Sequence, residues 1–178
     1  MDNEAAERET MFDFTQEVNE SDIKRGGGFT LIPNGRYTAA FQGAVLHSAE
    51  TGQRIETEWV DFETPDGQTE IHRDGATINL AGRRSKRYTL WGGDREKLVK
   101  FAQAFNLAVS SENGNGKVWK LATKTPEEFV EAVNTQQGKR FLVGIRQAPR
   151  KRGGQIVTKE DGSNVVDDNI YWVDSISK

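Results

Sequence analysis

Turn-forming dipeptides recur at short intervals through the first half of this 178-residue chain, and the segments between them have the length and alternation of strands. Ile32-Pro33-Asn34-Gly35 is a turn, because proline presets φ and Asn-Gly accepts a positive φ. From Arg36 to His47 the chain reads as extended, with Tyr37, Ala39, Phe41, Gly43 and Val45 on one face at period two. Ala49 to Gln53 turns it. A second strand over Arg54–Glu63 sets Ile55, Thr57 and Trp59 against Glu56, Glu58, Val60 and Phe62. Thr64-Pro65-Asp66-Gly67 is a hairpin signal. A third stretch, Gln68 to Leu80, carries Ile71 and Ile78 and is broken at Asp74-Gly75 by a bulge or a second turn.

The period then changes to that of helices. Gly92-Gly93-Asp94 is a stop followed by an N-cap, and Leu98, Phe101, Ala102 and Phe105 form one apolar stripe. Thr125-Pro126-Glu127-Glu128 is a capping box with proline at the first helical position. It opens a helix that buries Phe129, Val130 and Val133 and stops by Gly138. The polar stretch Ser110–Asn115 between the helices reads as a mobile loop. Strands return over Lys139–Gln147, with Phe141, Val143 and Ile145 on one face, and over Asn169–Ile176, with a basic loop over Ala148–Gln155 between them. Three strands, a helical insertion and two closing strands is the order of a five-stranded antiparallel OB-like barrel. An α+β fold with an open antiparallel sheet is the alternative.

Charge divides the chain. Residues 1–23 hold eight acids and one base, a net −7, whereas 24–178 hold 23 bases and 19 acids, a net +4. The expected organisation is a solvated acidic arm over 1–28, ending in the joint Lys24-Arg25-Gly26-Gly27-Gly28, and one domain over 29–178. The arm presents Met11, Phe12 and Phe14 and is either a solubilising tail or a docking arm for a partner. The acidic beginning lacks an apolar signal segment, and no apolar run approaches the ~20 residues that span a bilayer, so no membrane partner is expected.

Enzymatic chemistry finds few footholds. The chain has no cysteine and two histidines, His47 and His72, which excludes disulfides, thiolate sites and a cysteine nucleophile. No phosphate-binding loop, nucleophile elbow or zinc-protease motif occurs. Asp167-Asp168 reads as a solvated acidic turn before the last strand rather than a metal site. No catalytic residue, metal or cofactor is expected.

Cations beside aromatic rings are the positive signal. Arg83, Arg84, Lys86 and Arg87 lie within five residues, and Tyr88 and Trp91 follow. Cations neutralise phosphates and exposed rings stack on unpaired bases, which is what a single-strand binder needs. Arg146, Arg150, Lys151 and Arg152 form a second cluster, with Gly153-Gly154 open to close approach of a ligand. Lys117, Trp119 and Lys120 are a third, weaker set. Each run alone is equally consistent with a solvated loop. Two runs in loops of one barrel favour nucleic acid. Trp91 and Tyr88 are the expected stacking rings, and Trp59 and Trp172 are expected in the core.

Ile32-Pro33-Asn34-Gly35-Arg36-Tyr37 resembles the opening of a family of small phage proteins encoded beside recombination and replication genes, described as single-stranded DNA-binding or of unknown function. Thr51-Gly52, the strand Ile55–Phe62, Lys97-Leu98-Val99-Lys100-Phe101, Gln137–Val143 and Asn164-Val165 extend the resemblance over about residues 29–175. The acidic arm is not part of that pattern, and no binding residue is carried over. The resemblance implies a protein of the bacterial host cytoplasm that coats single-stranded DNA in replication or recombination; self-association, and replication or recombination partners met through residues 1–23, are separate expectations that the resemblance does not carry. A protein-interaction module, such as an inhibitor or adaptor using the acidic arm, and a small virion structural protein are the rival readings.

Overall fold

The computed structural model describes residues 31–176. The acidic arm, its tri-glycine joint, and Met11, Phe12 and Phe14 lie outside the described residues. Gly35–Ala49 (β1) and Gly52–Glu63 (β2) form a long hairpin, and Glu70–Arg73 (β3) and Ala76–Asn79 (β4) a short one. Lys86–Trp91 is β5, Arg95–Ala104 is α1, and Ala108–Asn113 (β6) pairs with Gly116–Leu121 (β7). Pro126–Asn134 is α2 and Arg140–Pro149 is β8. Lys151–Arg152 (β9), Gln155–Ile156 (β10) and Val166–Asp174 (β11) end the chain. The fold is mainly β, around a five-stranded antiparallel sheet of order β11-β8-β1-β2-β5. Among the described residues no helix is long and apolar enough to cross a membrane.

Three local expectations change. The third strand of the sheet is β5, not the stretch 68–80, which folds on itself at Asp74-Gly75. Both turn residues there have positive φ, 51° and 76°, as a two-residue hairpin turn requires. The polar stretch 110–115 is not a loop but half of the β6–β7 hairpin, turned at Gly114-Asn115. Within β1, register shifts by one residue between Phe41 and Gly43, so Ala44 turns inward and Val45 is 58% exposed instead of sharing the face of Phe41. A matching irregularity in β2 puts Asp61 at φ 54° and carries Phe62 into the core beside Trp59. Arg140 holds this bulge, donating to the Asp61 carbonyl at 2.7 Å. Asn134, the last residue of α2, exchanges two hydrogen bonds with the Ala44 backbone.

The core lies between the sheet and the helices and is largely aromatic. Phe105 stacks on Phe141 at 4.2 Å and on Phe101 at 4.6 Å, and Phe41 and Trp59 meet it edge-on. The buried Trp59 indole donates to Thr57 Oγ1, which donates to the Tyr88 carbonyl, so both core polar groups are satisfied. The helices are capped as the sequence predicts. Asp94 accepts from the Lys97 amide, and Thr125 accepts from the Glu128 amide. Trp172 is only partly buried. Its indole lies against Gly144, where a Cβ would sit 2.1 Å from Nε1.

β5 and β11 are the edges of the sheet by hydrogen bonding, yet they pack against one another. Lys86 Nζ reaches across to Asp168, bonding its carboxylate Oδ1 and its carbonyl at 2.9 Å. The other carboxylate oxygen accepts the Ile32 amide at 2.7 Å. Asp167 and Asp168 therefore belong to β11 and to two ion pairs, not to a solvated turn.

Candidate nucleic-acid interface

The alternation of β5 sorts the first basic run. Lys86, Tyr88 and Leu90 point inward, and Arg87, Thr89 and Trp91 point out. Lys86 is consequently a structural cation: its side chain is 16% exposed and held by Asp168. Tyr88 is a second correction. Its ring is buried against Phe101, with Lys97 Nζ 4.4 Å from its centroid, and offers no face to a base. Burial, with the charge of Asp94 adding to it, pushes its phenol up to about 12. Burial also lowers the Lys97 ammonium. Arg87 pairs with Glu56 at 3.3 Å across the sheet, and Ser85 Oγ bonds Glu58. The outer middle of β2–β5 is thus acidic, its cation already matched. Arg83 Nε donates to the Asn79 carbonyl at 2.8 Å, and Arg84 is exposed.

The second run sits by the same aspartates. Arg150 makes a two-pronged contact with Asp167, at 2.9 and 2.7 Å, which holds that carboxyl below the usual carboxylate range. Lys151 and Arg152 are exposed on the β9–β10 hairpin, and Arg146 is exposed on β8. Gly153 and Gly154 have φ of 58° and 81°. They make that hairpin's two-residue turn, with open space where each side chain would stand. Arg84, Arg146, Lys151 and Arg152 make no ion pair among the described residues.

Trp91 lies at the far end of β5. It is 57% exposed and opposes Arg54, whose guanidinium lies 5.9 Å from its ring. Beside it is a pocket of about 350 Å³ with an apolar floor that includes Leu46, Ile55, Leu90 and Phe129. Every charged residue lining it is a cation: Arg54, Arg95, Lys120 and Lys124. None of the four makes an ion pair among the described residues. The third sequence set adjoins it through Lys120. On the same strand, Lys117 Nζ covers the Trp119 ring at 4.9 Å, and that ring is 43% exposed.

No family model matches the chain, and no curated protein matches it. Arg54, Arg95 and Lys124 escaped the sequence reading because each is an isolated cation on a different element; only Lys120, beside Trp119, gave a signal. Among the described residues no group of three or more His, Asp and Glu is placed to hold a metal ion.

Proposed function

We propose that this chain is a stoichiometric single-stranded DNA-binding protein of the phage type, built as an OB-like barrel. The sheet order β11-β8-β1-β2-β5, with both helices between the third and fourth sheet strands, supports that architecture, as does the packing of its edges around Lys86 and Asp168. Closure of the barrel then runs through side chains on that seam.

The observation that carries the functional reading is the Trp91 end of the sheet. An exposed indole there adjoins four cations in a pocket whose lining has no carboxylate; the nearby Glu128 carboxylate is engaged by the Lys124 backbone amide at 2.9 Å. Unpaired cations hold phosphates at low desolvation cost, and an open ring stacks on any base, so the combination grips a strand with little sequence preference. Glu56 and Glu58 steer the strand away from the middle of β2–β5. Trp119 and Lys117 extend its track along β7, and Arg84, Arg146, Lys151 and Arg152 add a separate, weaker electrostatic surface. The protein acts without catalysis or cofactor, keeping the strand unpaired in the host cytoplasm while residues 1–23 meet a replication or recombination partner. A gel shift with labelled oligo-dT and the same-length duplex tests this. Trp91→Ala should lose about 1–3 kcal/mol of strand affinity if the indole stacks on a base. Unchanged affinity would remove Trp91 from the interface.

A further inference from the structure

The pocket beside Trp91 has more structure than a phosphate track needs. A strand crossing a flat basic surface requires no cavity, and this one is lined on one side by the buried side chains of Ile55, Leu90 and Phe129. Its volume of about 350 Å³ falls within the range of small-ligand sites, roughly 300–1,000 Å³. Its wall includes the first residue of each helix, Arg95 of α1 and Pro126 of α2, but Asp94, Glu96, Glu127 and Glu128 already occupy those two positive ends, so the attraction for an anion comes from the side-chain cations. Thr123, also in the wall, has a buried Oγ1 without a hydrogen-bond partner, the one such side-chain atom among the described residues.

We infer that this pocket seats one complete nucleotide unit. The base enters over the apolar floor against Trp91, and the phosphate rests on the rim made by Arg95, Lys120 and Lys124. The inference rests on the single-strand reading for its biological ligand, but its chemistry is that of a nucleoside monophosphate. The same unit could arrive as a free nucleotide or as one residue of a strand. An apolar floor with a cationic rim predicts that base and phosphate are both needed. A nucleoside alone loses the rim, and inorganic phosphate alone loses the floor.

The test uses the full chain and follows tryptophan fluorescence during titration with dTMP, thymidine and inorganic phosphate, then displacement of fluorescein-labelled oligo-dT by each. The expected result is quenching by dTMP with a dissociation constant of about 1 mM or tighter, a range suited to so few contacts. Thymidine and phosphate should each bind at least about tenfold more weakly, a factor that a charged hydrogen-bonded group supplies. Arg95→Glu with Lys124→Glu, both at exposed positions, should abolish dTMP quenching and leave the thermal melt unchanged. If oligo-dT binds while dTMP neither quenches nor displaces it better than phosphate, the nucleotide pocket is wrong and strand binding stands on the open surface. If dTMP binds and oligo-dT does not, the pocket stands as a free-nucleotide site and the strand reading falls. If neither binds, both fall.

Discussion

Replacing Lys86 by Met tests whether the first basic run is an interface or a structural seam. The side chains of Lys86 and Asp168 are 16% and 11% exposed, so the pair is largely out of water. Breaking one partner of a buried pair leaves an uncompensated charge and costs roughly 3–5 kcal/mol. Here Asp168 keeps the Ile32 amide as a donor, which moderates the loss to about 2–4 kcal/mol. For a domain of this size each kcal/mol lowers the melting temperature by roughly 2–4 °C, so a fall of about 5–15 °C is expected. The half-exposed pair Arg150–Asp167 is the control: Arg150→Ala should cost less than about 1 kcal/mol. Lys86→Met combined with Asp168→Asn should recover much of the loss, because no charge is then left buried without its partner. Thermal and urea denaturation followed by circular dichroism read all four proteins. Oligo-dT affinity, measured well below the melting point, should be unchanged in Lys86→Met. Wild-type stability together with weakened strand binding would refute the reasoning and return Lys86 to the interface.

Gly144→Ala should destabilise the domain by about 1–3 kcal/mol by driving the Trp172 indole off β8, and Trp172→Ala in the same chain should relieve part of that cost, measured by urea midpoints. The Tyr88 phenol ionises at about 12 in the folded protein against 10 when unfolded, so its contribution is complete below pH 10 and lost as pH rises toward 12. That window holds at most about 2 kcal/mol once solvent screening is allowed for, and Tyr88→Phe should flatten the fall in urea midpoint between pH 10 and 12. Deleting residues 1–23 removes a net −7, so oligo-dT affinity should rise at low salt and the gain should fade near 0.1 M, where the screening length is about 10 Å. Equal affinities at low salt would show that the arm does not compete with the strand.

Strand and helix identity was legible wherever local chemistry decides it. Alternation marked β1, β2 and β8, and Asp94 and Thr125-Pro126 marked both helix starts. Register was not legible, because a bulge is set by what lies across the sheet. One residue of slip beside Gln42 and another at Asp61 turned Val45 out and Phe62 in. β5 was concealed by its own charge. Lys86, Tyr88 and Leu90 alternate with Arg87, Thr89 and Trp91, yet four cations in five residues read as a loop. The basic runs were visible, but the acids that neutralise them are remote in sequence: Asp168 is 82 residues from Lys86. The pocket was hardest to see. Its cations come from β2, α1, β7 and the turn before α2, and only folding brings them together.

Strand binding itself is tested most directly by the anisotropy of fluorescein-labelled oligo-dT titrated with the full chain across a salt series, with unlabelled duplex as competitor. With the pocket cations, Lys117 on β7 and the exposed Arg84, Arg146, Lys151 and Arg152 together neutralising about four phosphates, a log–log slope near −3 is expected, with displacement of the strand by oligo-dT well before duplex. A flat salt response, or equal competition by duplex, would contradict it.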